Sequence, residues 1–322
     1  MLLDAHAEPV APIIAWFDTR TEPQAHWWIE SVGVEHTQQI CGLTPRPVFG
    51  APKMLWTKAH LTDAWGRGRH WLNMADWAAY RLTGQMATDY SIASRTMLFD
   101  LANLAWSDEL IGAAGLDRSM LAPLIQSGER VGLVTAEAAA QTGLPVGASV
   151  GAGGQDHVCA ALALGVTEPG MLLDSIGTAE ALFLVADGFE TGGRLFAAGV
   201  SQGAHVEPDR TYAMTGLAGG GRIDARRQEM DLDWDGFLAT EAADAVIDEV
   251  AREAQDRIEV MLSAVQMTDG RPTDVRHVAT GGGTRNLRLI ERKRELGGRP
   301  IEVAAQMQAT ALGAAHLAHR SL

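Results

Sequence analysis

The chain has 322 residues, of which 47% are hydrophobic and 20% charged, enough for two globular domains with buried cores. A formal net charge of −14 argues against nucleic acid or an anionic membrane as main partner, because both require clustered Lys and Arg. An anionic small ligand is still allowed, since backbone amides in a loop hold phosphate without any net positive charge.

The opening stretch MLLDAHAEPVAPIIAW has neither a basic leader nor a long apolar run, so neither a signal peptide nor a membrane span is expected. Cys41 and Cys159 lie far apart and match no metal spacing; they read as reduced thiols of a cytoplasmic protein. Eight of the nine tryptophans fall between Trp16 and Trp106, whereas glycines concentrate after Gly143. The two parts are therefore built differently, and the boundary is expected near Leu144, giving domains 1–143 and 144–322.

Between Thr57 and Thr83 the residues Trp71, Met74, Ala75, Ala78 and Leu82 recur at helical spacing, and Gly84 closes that helix. TDYSIASRTMLFD reads as a polar loop running into a short segment, followed by a helix from about Trp106 to Ala114. After the boundary, GASVGAG is a short apolar run ending in glycines and DHVCAALALG is helical. GMLLDSIGTAEALFLVADG is two apolar runs folded about Gly177 and Thr178, a β-hairpin; RLFAAGVSQ and TYAMTGL are further strand candidates.

From Thr240 to Val265, the residues Ala243, Ile247, Val250, Ala254, Ile258 and Met261 step by three or four, which predicts one long amphipathic helix. VRHVAT predicts a strand, GGGTRN a turn and NLRLIERKREL a helix stopped by Gly297 and Gly298. IEV is a strand and ATALGAAHLAHR a last helix. Such alternation predicts an α/β sheet with helices packed on its faces.

Three glycine-centred stretches are candidates for chemistry. The Gly177 and Thr178 amides of SIGTAE could face phosphate oxygens, or the turn could simply close a hairpin. GGGTRN lies between strand and helix, where glycine permits close approach of a ligand or of another backbone. In GGQDH, Asp156 and His157 stand at the junction of a glycine loop and an alanine-rich helix. An Asp in that position is ordinarily an N-cap.

The stretches IIAWFDTR, DWAAYRLTGQMATDYSIASRTMLFD, LPVGASVGAGGQDHVCAALALGVTEPGMLLDSIGTAEALF, TGLAGGG, ATGGGTRN, ELGGRPIEV and ATALGAA occur together and in order. With them the sequence resembles the FGGY family of carbohydrate kinases. The long central match is specific, whereas the short glycine turns are not. The resemblance implies an α/β, actin-like ATPase (ribonuclease H-like) fold with two domains around a cleft. It also implies transfer of the γ-phosphate of ATP to a sugar or polyol hydroxyl, with Mg2+. On this resemblance Asp156 is the catalytic base and His157 contacts the sugar. Gly177 and Thr178 match a phosphate loop, while Gly281, Gly282, Gly283 and Asn286 match the adenosine-binding turn. Asp18 and Arg20 resemble a segment facing the sugar cleft, with a surface ion pair as the alternative. Metal ligands stay unassigned.

Relatives begin with a glycine-threonine turn carrying an Asp that organises Mg2+ and phosphates. This sequence starts beyond that point, so an incomplete first domain is expected: 1–143 as a remnant of the sugar-binding domain and 144–322 as the nucleotide-binding domain. The section after TGLAGGGRIDAR is also expected to be shortened, with a DLDWDG-containing bridge to the long helix. Two functions follow as alternatives, an active kinase or a non-catalytic remnant that binds nucleotide or sugar only. An actin-like ATPase or regulator outside the family is disfavoured by the segment TDYSIASRTMLFD. A sugar or polyol is the expected partner, a ketose such as xylulose the leading acceptor, and a homodimer is left open.

Overall fold

The computed structural model describes residues 1–265, 275–306 and 308–322. Its second half is organised by a six-stranded sheet, and the hairpin is its centre. Leu172–Ile176 and Glu180–Ala186 pair antiparallel, with Ile176 opposite Glu180 and Leu173 opposite Phe183. Thr211–Leu217 adds antiparallel to the second hairpin strand, and Ser201–Ala204 adds antiparallel to that. On the other side His277–Thr280 runs parallel to Leu172–Ile176, followed by Ile301–Val303.

Side chains alternate along the hairpin, so both faces of the sheet can be buried. Leu172, Leu182 and Leu184 pack against the long helix Glu241–Ala264. Leu173, Phe183 and Val185 pack the other way, against the helices Asp156–Ala163 and Ala309–Arg320. The long helix buries the very stripe its periodicity predicts, from Ala243 to Met261, and Thr240 caps it by accepting from the Ala243 amide at 3.2 Å.

The first part has a different construction. Helices Glu22–Ser31, Gly50–His60 and Asp108–Ala113 surround a core rich in aromatic rings, among them Trp28, Phe49, Phe99 and Trp106, while Met74–Thr83 packs Trp77 and Tyr80 on a smaller cluster around Leu3 and Leu72. The buried indoles find acceptors, Trp28 Nε1 on Thr37 Oγ1 at 2.8 Å and Trp106 Nε1 on the Ala122 carbonyl at 2.9 Å. Strands here are brief: Thr88–Asp89 pairs with Leu124–Ile125, and Phe99–Asp100 with Ala105–Trp106. No helix among the described residues is long and apolar enough to cross a membrane.

Three expectations need correction. The 57–83 pattern is not one helix. Gly50–His60 ends there, Thr62–Arg67 and the short strand His70–Trp71 intervene, and a capping box between Asn73 and Asp76 starts Met74–Thr83 afresh. TDYSIASRTMLFD is not a polar loop: Asp89, Ser91, Ser94, Thr96 and Met97 to Phe99 are all buried, the polar ones satisfied by one another and by the main chain. RLFAAGVSQ is strand only at its end. Arg194–Ala197 is a helical turn, entered through Gly193 and held by Glu190, which accepts from the Leu195 amide at 3.2 Å.

Candidate active site

Asp156 begins the helix Asp156–Ala163 but does not cap it. The cap is Gln155, whose side-chain oxygen accepts from the Val158 amide at 3.1 Å. The Asp156 carboxylate is thus released from the usual role of an acid at a helix start. Its Oδ1 takes the His157 amide at 2.8 Å and lies 3.0 Å from His157 Nδ1, with Gln155 Nε2 as a further donor. Among the described residues Oδ2 takes no hydrogen bond, and the side chain is 66% exposed. His157 beside it holds the carboxyl below the usual carboxylate range. The group is an ionised acceptor with one oxygen free.

Buried groups fix it from beneath. The Gln155 amide donates to Ser91 Oγ at 2.9 Å, and Ser91 Oγ donates in turn to Asp89 Oδ2 at 2.6 Å. Ser127 Oγ donates to the same oxygen at 2.6 Å. Burial pushes Asp89 up, with the Ser127 and Ser91 bonds opposing. From the other side Thr310 Oγ1 reaches the Asp156 carbonyl at 3.2 Å. The helix Ala309–Arg320 lies so close that a Cβ on Gly313 would stand 1.8 Å from the Cys159 carbonyl. Only glycine allows that approach.

Asp156 and His157 open into a cleft of about 750 Å³, whose walls include Trp16, Phe49, Lys53, Asn73, Arg95 and Met214. Asp18 and Arg20 do not line it. They pair with each other, Arg20 Nη2 to Asp18 Oδ2 at 2.7 Å, and the Arg20 guanidinium lies 5.2 Å from the Trp56 ring centre on the helix that carries Lys53.

A second cleft of about 560 Å³ lies past the ends of the central strands. Parallel pairing sets Thr280 beside Ser175, so the hairpin turn and the GGGTRN turn emerge side by side. Gly177, Thr178, Gly282, Gly283 and Asn286 all line this cleft. Gly281 sits just behind, at φ +94°, where a Cβ would come within 2.5 Å of the Ile176 carbonyl. Asn286 Oδ1 caps the helix Leu287–Gly297 through the Leu289 amide at 3.2 Å.

The glycine-rich start of the helix Gly219–Glu229 joins these two. The Gly220 and Gly221 amides donate to the Gly177 and Thr178 carbonyls at 3.1 and 2.8 Å, and both glycines line the cleft with Asp224 and Trp234. The run AGGG was visible in the sequence, but its position against the hairpin turn comes from strand pairing across 30-odd residues. Lys53 and Arg95 gave no local signal at all.

Below the turns lies a fully buried ionic cluster. Lys293 Nζ donates to Asp174 Oδ2 and Glu180 Oε1, each at 2.6 Å, and His277 Nε2 is 3.4 Å from Asp174 Oδ2. The cluster ties both hairpin strands to the helix that follows GGGTRN. Burial opposes the Lys293 charge, but Asp174 and Glu180 outweigh it and raise the ammonium. Burial and the charge of Asp174 push Glu180 up to about 7.

The two clefts share no lining residue; the strand Thr211–Leu217 connects them, with Met214 on one and Gly220 just beyond its end on the other.

Residues 1–163 match the family model described as the N-terminal domain of the FGGY family of carbohydrate kinases. Over 225 residues the chain is 32% identical to the xylulose kinase of Bacillus subtilis, covering 70% of this chain and 44% of that protein. The chain spans less than half the length of such curated relatives. Among solved structures, a ligand-bound xylulose kinase from Lactobacillus acidophilus superposes with a TM-score of 0.89 at 17% identity, over 99% of this chain and 73% of that one. A Plasmodium falciparum glycerol kinase with ADP superposes at 0.85 and 19% identity, over 99% and 72%. The fold is therefore the α/β, actin-like fold that these sugar kinases share.

Proposed function

The chain belongs to the FGGY family of carbohydrate kinases, and from that membership we propose that it transfers the γ-phosphate of ATP to a hydroxyl of a sugar or polyol, with Asp156 as general base. The observation that carries this reading is the state of Asp156: ionised, satisfied on Oδ1, open on Oδ2 and facing a cleft large enough for a sugar. A hydroxyl hydrogen-bonded to Oδ2 is oriented for attack and loses its proton to that oxygen as the new P–O bond forms and the γ-phosphorus–oxygen bond to the leaving ADP breaks. Such a base within hydrogen-bond reach contributes roughly 10²–10⁴-fold, the rest of the catalysis being positioning and charge neutralisation.

In this reading residues 1–143 supply most of the acceptor cleft and 144–322 the nucleotide cleft. His157 contacts the sugar while holding Asp156 ionised, and Asp18 with Arg20 shapes the rim. The Gly177 and Gly220 amides are already bonded to the Ala179 and Gly177 carbonyls, so in this reading Gly177 shapes the phosphate turn and the Thr178 amide is its donor to a phosphate oxygen. Gly282, Gly283 and Asn286 border the adenosine, with Gly281 setting their turn. Mg2+ would come with the nucleotide. Among the described residues no group of three or more His, Cys, Asp or Glu side chains could hold a metal ion, and no step is assigned to it. A xylulose-type ketose is the first acceptor to try, because the curated relatives bear that name.

The separation of the two clefts favours one other reading, a protein that binds nucleotide or sugar without transfer. An ADP-release assay over ketopentoses, polyols and aldonates separates the two. Acceptor-dependent ADP is the expected result. Sugar binding with ADP release no faster than without acceptor would overturn the kinase reading.

A further inference from the structure

Arg95 is anomalous in the acceptor cleft. Its guanidinium lies 4.8 Å from the centre of the Phe49 ring and makes no hydrogen bond to any described residue. Nη1 is buried and without a partner. Buried donors of this kind are nearly always satisfied, and a guanidinium offers five of them. Lys53, on the same cleft wall, is half-buried, and its ammonium likewise bonds to no described residue. Burial lowers its pKa, with Asp18 the opposing charge.

The two cations are held together by the main chain. The carbonyls of Arg95 and Thr96 accept from the Gly50 and Ala51 amides at 3.4 and 2.8 Å, at the start of the helix Gly50–His60. Lys53 sits in the first turn of that helix, where side chains lean back toward the N-terminus. Facing them, Asp156 is the one carboxylate among the described residues that line the cleft, and its Oδ1 is already occupied. In a chain of net charge −14, this wall of the acceptor cleft carries two cations that neither Asp156 nor Asp18 engages in a hydrogen bond.

We propose that Arg95 and Lys53 form an oxyanion-binding site in the acceptor cleft. The planar fork of Arg95 suits an oxyanion with two oxygens, and Lys53 adds a point charge. The shared chemistry has two sources: a carboxylate on an acidic sugar, or the phosphate being transferred. The inference rests on the acceptor-cleft reading of Asp156 but not on turnover.

Calorimetric titration without nucleotide tests it, using D-gluconate, inorganic phosphate and neutral xylitol on the full chain. At least one anion is expected to bind at least about tenfold more tightly than xylitol. Arg95→Met should abolish that preference, Lys53→Met should weaken it, and Asp156→Asn should strengthen it by removing the opposing charge. The last change is one that a merely structural Arg95 does not produce. Tighter gluconate identifies an acidic acceptor, and tighter phosphate identifies the transferred group. If Arg95→Met loosens packing over Phe49, Lys53→Met carries the test alone, since its head group has no bond to lose. Xylitol binding as well as both anions, or both Met variants binding anions like the parent, would overturn the proposal. Failure of every acceptor in the ADP-release assay would instead strike the kinase reading and leave this result standing.

Discussion

The cleft proposed for the nucleotide is built on glycine turns, whereas the cleft proposed for the acceptor is walled by charged and aromatic side chains. Around Gly177, Gly220 and Gly282, five glycines bring main chain to the wall at the ends of paired strands, with Asp224, Trp234, Arg285 and Asn286 beside them. Around Asp156 it is made of Lys53, Asn73, Arg95, His157 and exposed Trp16, drawn from helices and turns far apart in sequence. Such a wall depends on glycines that let backbones approach, as at Gly281, so it tolerates few substitutions. A side-chain wall can be changed one residue at a time, which is how acceptor specificity varies on an unchanged fold.

The largest effect that contrast predicts is at Asp156. Asp156→Asn keeps the shape of the acceptor wall but removes its proton acceptor, so kcat should fall roughly 10²–10⁴-fold while ATP affinity is retained. Because His157 holds the carboxyl low, the parent should keep its activity toward acid until pH falls below the usual carboxylate range, as far as this group decides it. Turnover of the Asn variant at the parent rate would end the general-base assignment.

Next come the glycines, where two neighbours should behave differently. Gly281→Ala places a methyl 2.5 Å from the Ile176 carbonyl at a positive φ, so it should cost about 1–3 kcal/mol of stability and weaken ATP by about tenfold or more. At Gly282 an added Cβ meets nothing within 4 Å. Gly282→Ala should leave stability within about 0.5 kcal/mol, so any loss of ATP affinity reports crowding by the ligand itself. Thermal unfolding beside nucleotide titration distinguishes the cases. Equal destabilisation by both would show that the turn, not the close approach, sets the requirement.

The same contrast explains what could be read before the structure. Glycine runs are local, so the hairpin about Gly177 and Thr178 and the strand-turn-helix around GGGTRN stand in the sequence as they do in the fold. The long helix was equally legible, because its buried stripe repeats every three or four residues without interruption. The cations at 53 and 95 were not, since nothing in either neighbourhood tells that two segments 40 residues apart meet at one helix start. TDYSIASRTMLFD was misread for a related reason. Its hydroxyls look like surface chemistry until Asp89 is seen to gather Ser91 and Ser127 inside the core.

Buried acids mark a further difference between the halves. Under the nucleotide cleft Asp174 and Glu180 share Lys293, but Asp76, which accepts from the Asn73 amide at 3.0 Å and so shapes the acceptor wall, has no cation bonded to it. Burial pushes Asp76 up to about 7. The folded state then holds this proton more tightly than the unfolded chain between pH 3.8 and about 7, so Asp76 makes stability decline as pH rises through that window. Asp76→Asn keeps a carbonyl for Asn73 and removes the titration. Relative to the parent it should gain roughly 1–2 kcal/mol between pH 5 and 7.5. Denaturant unfolding at the two pH values measures it, and an unchanged difference would mean that Asp76 is ionised throughout.

The smallest effect is expected at the rim. Asp18 and Arg20 bond to each other, and Arg20 lies over Trp56 rather than entering the cleft. Exposed ion pairs of this kind contribute little to stability and are screened by salt. If they guide the acceptor, they do so through the field near Lys53, whose charge Asp18 opposes. Asp18→Asn should therefore change the acceptor KM by no more than a few fold, with kcat and ATP affinity unaltered, and the change should fade as ionic strength rises past about 0.15 M, where charges more than roughly 8 Å apart are screened. A salt-independent loss of kcat would mean the reverse: that Asp18 reaches the reacting sugar directly, and that the acceptor wall closes further around its ligand than the open cleft implies.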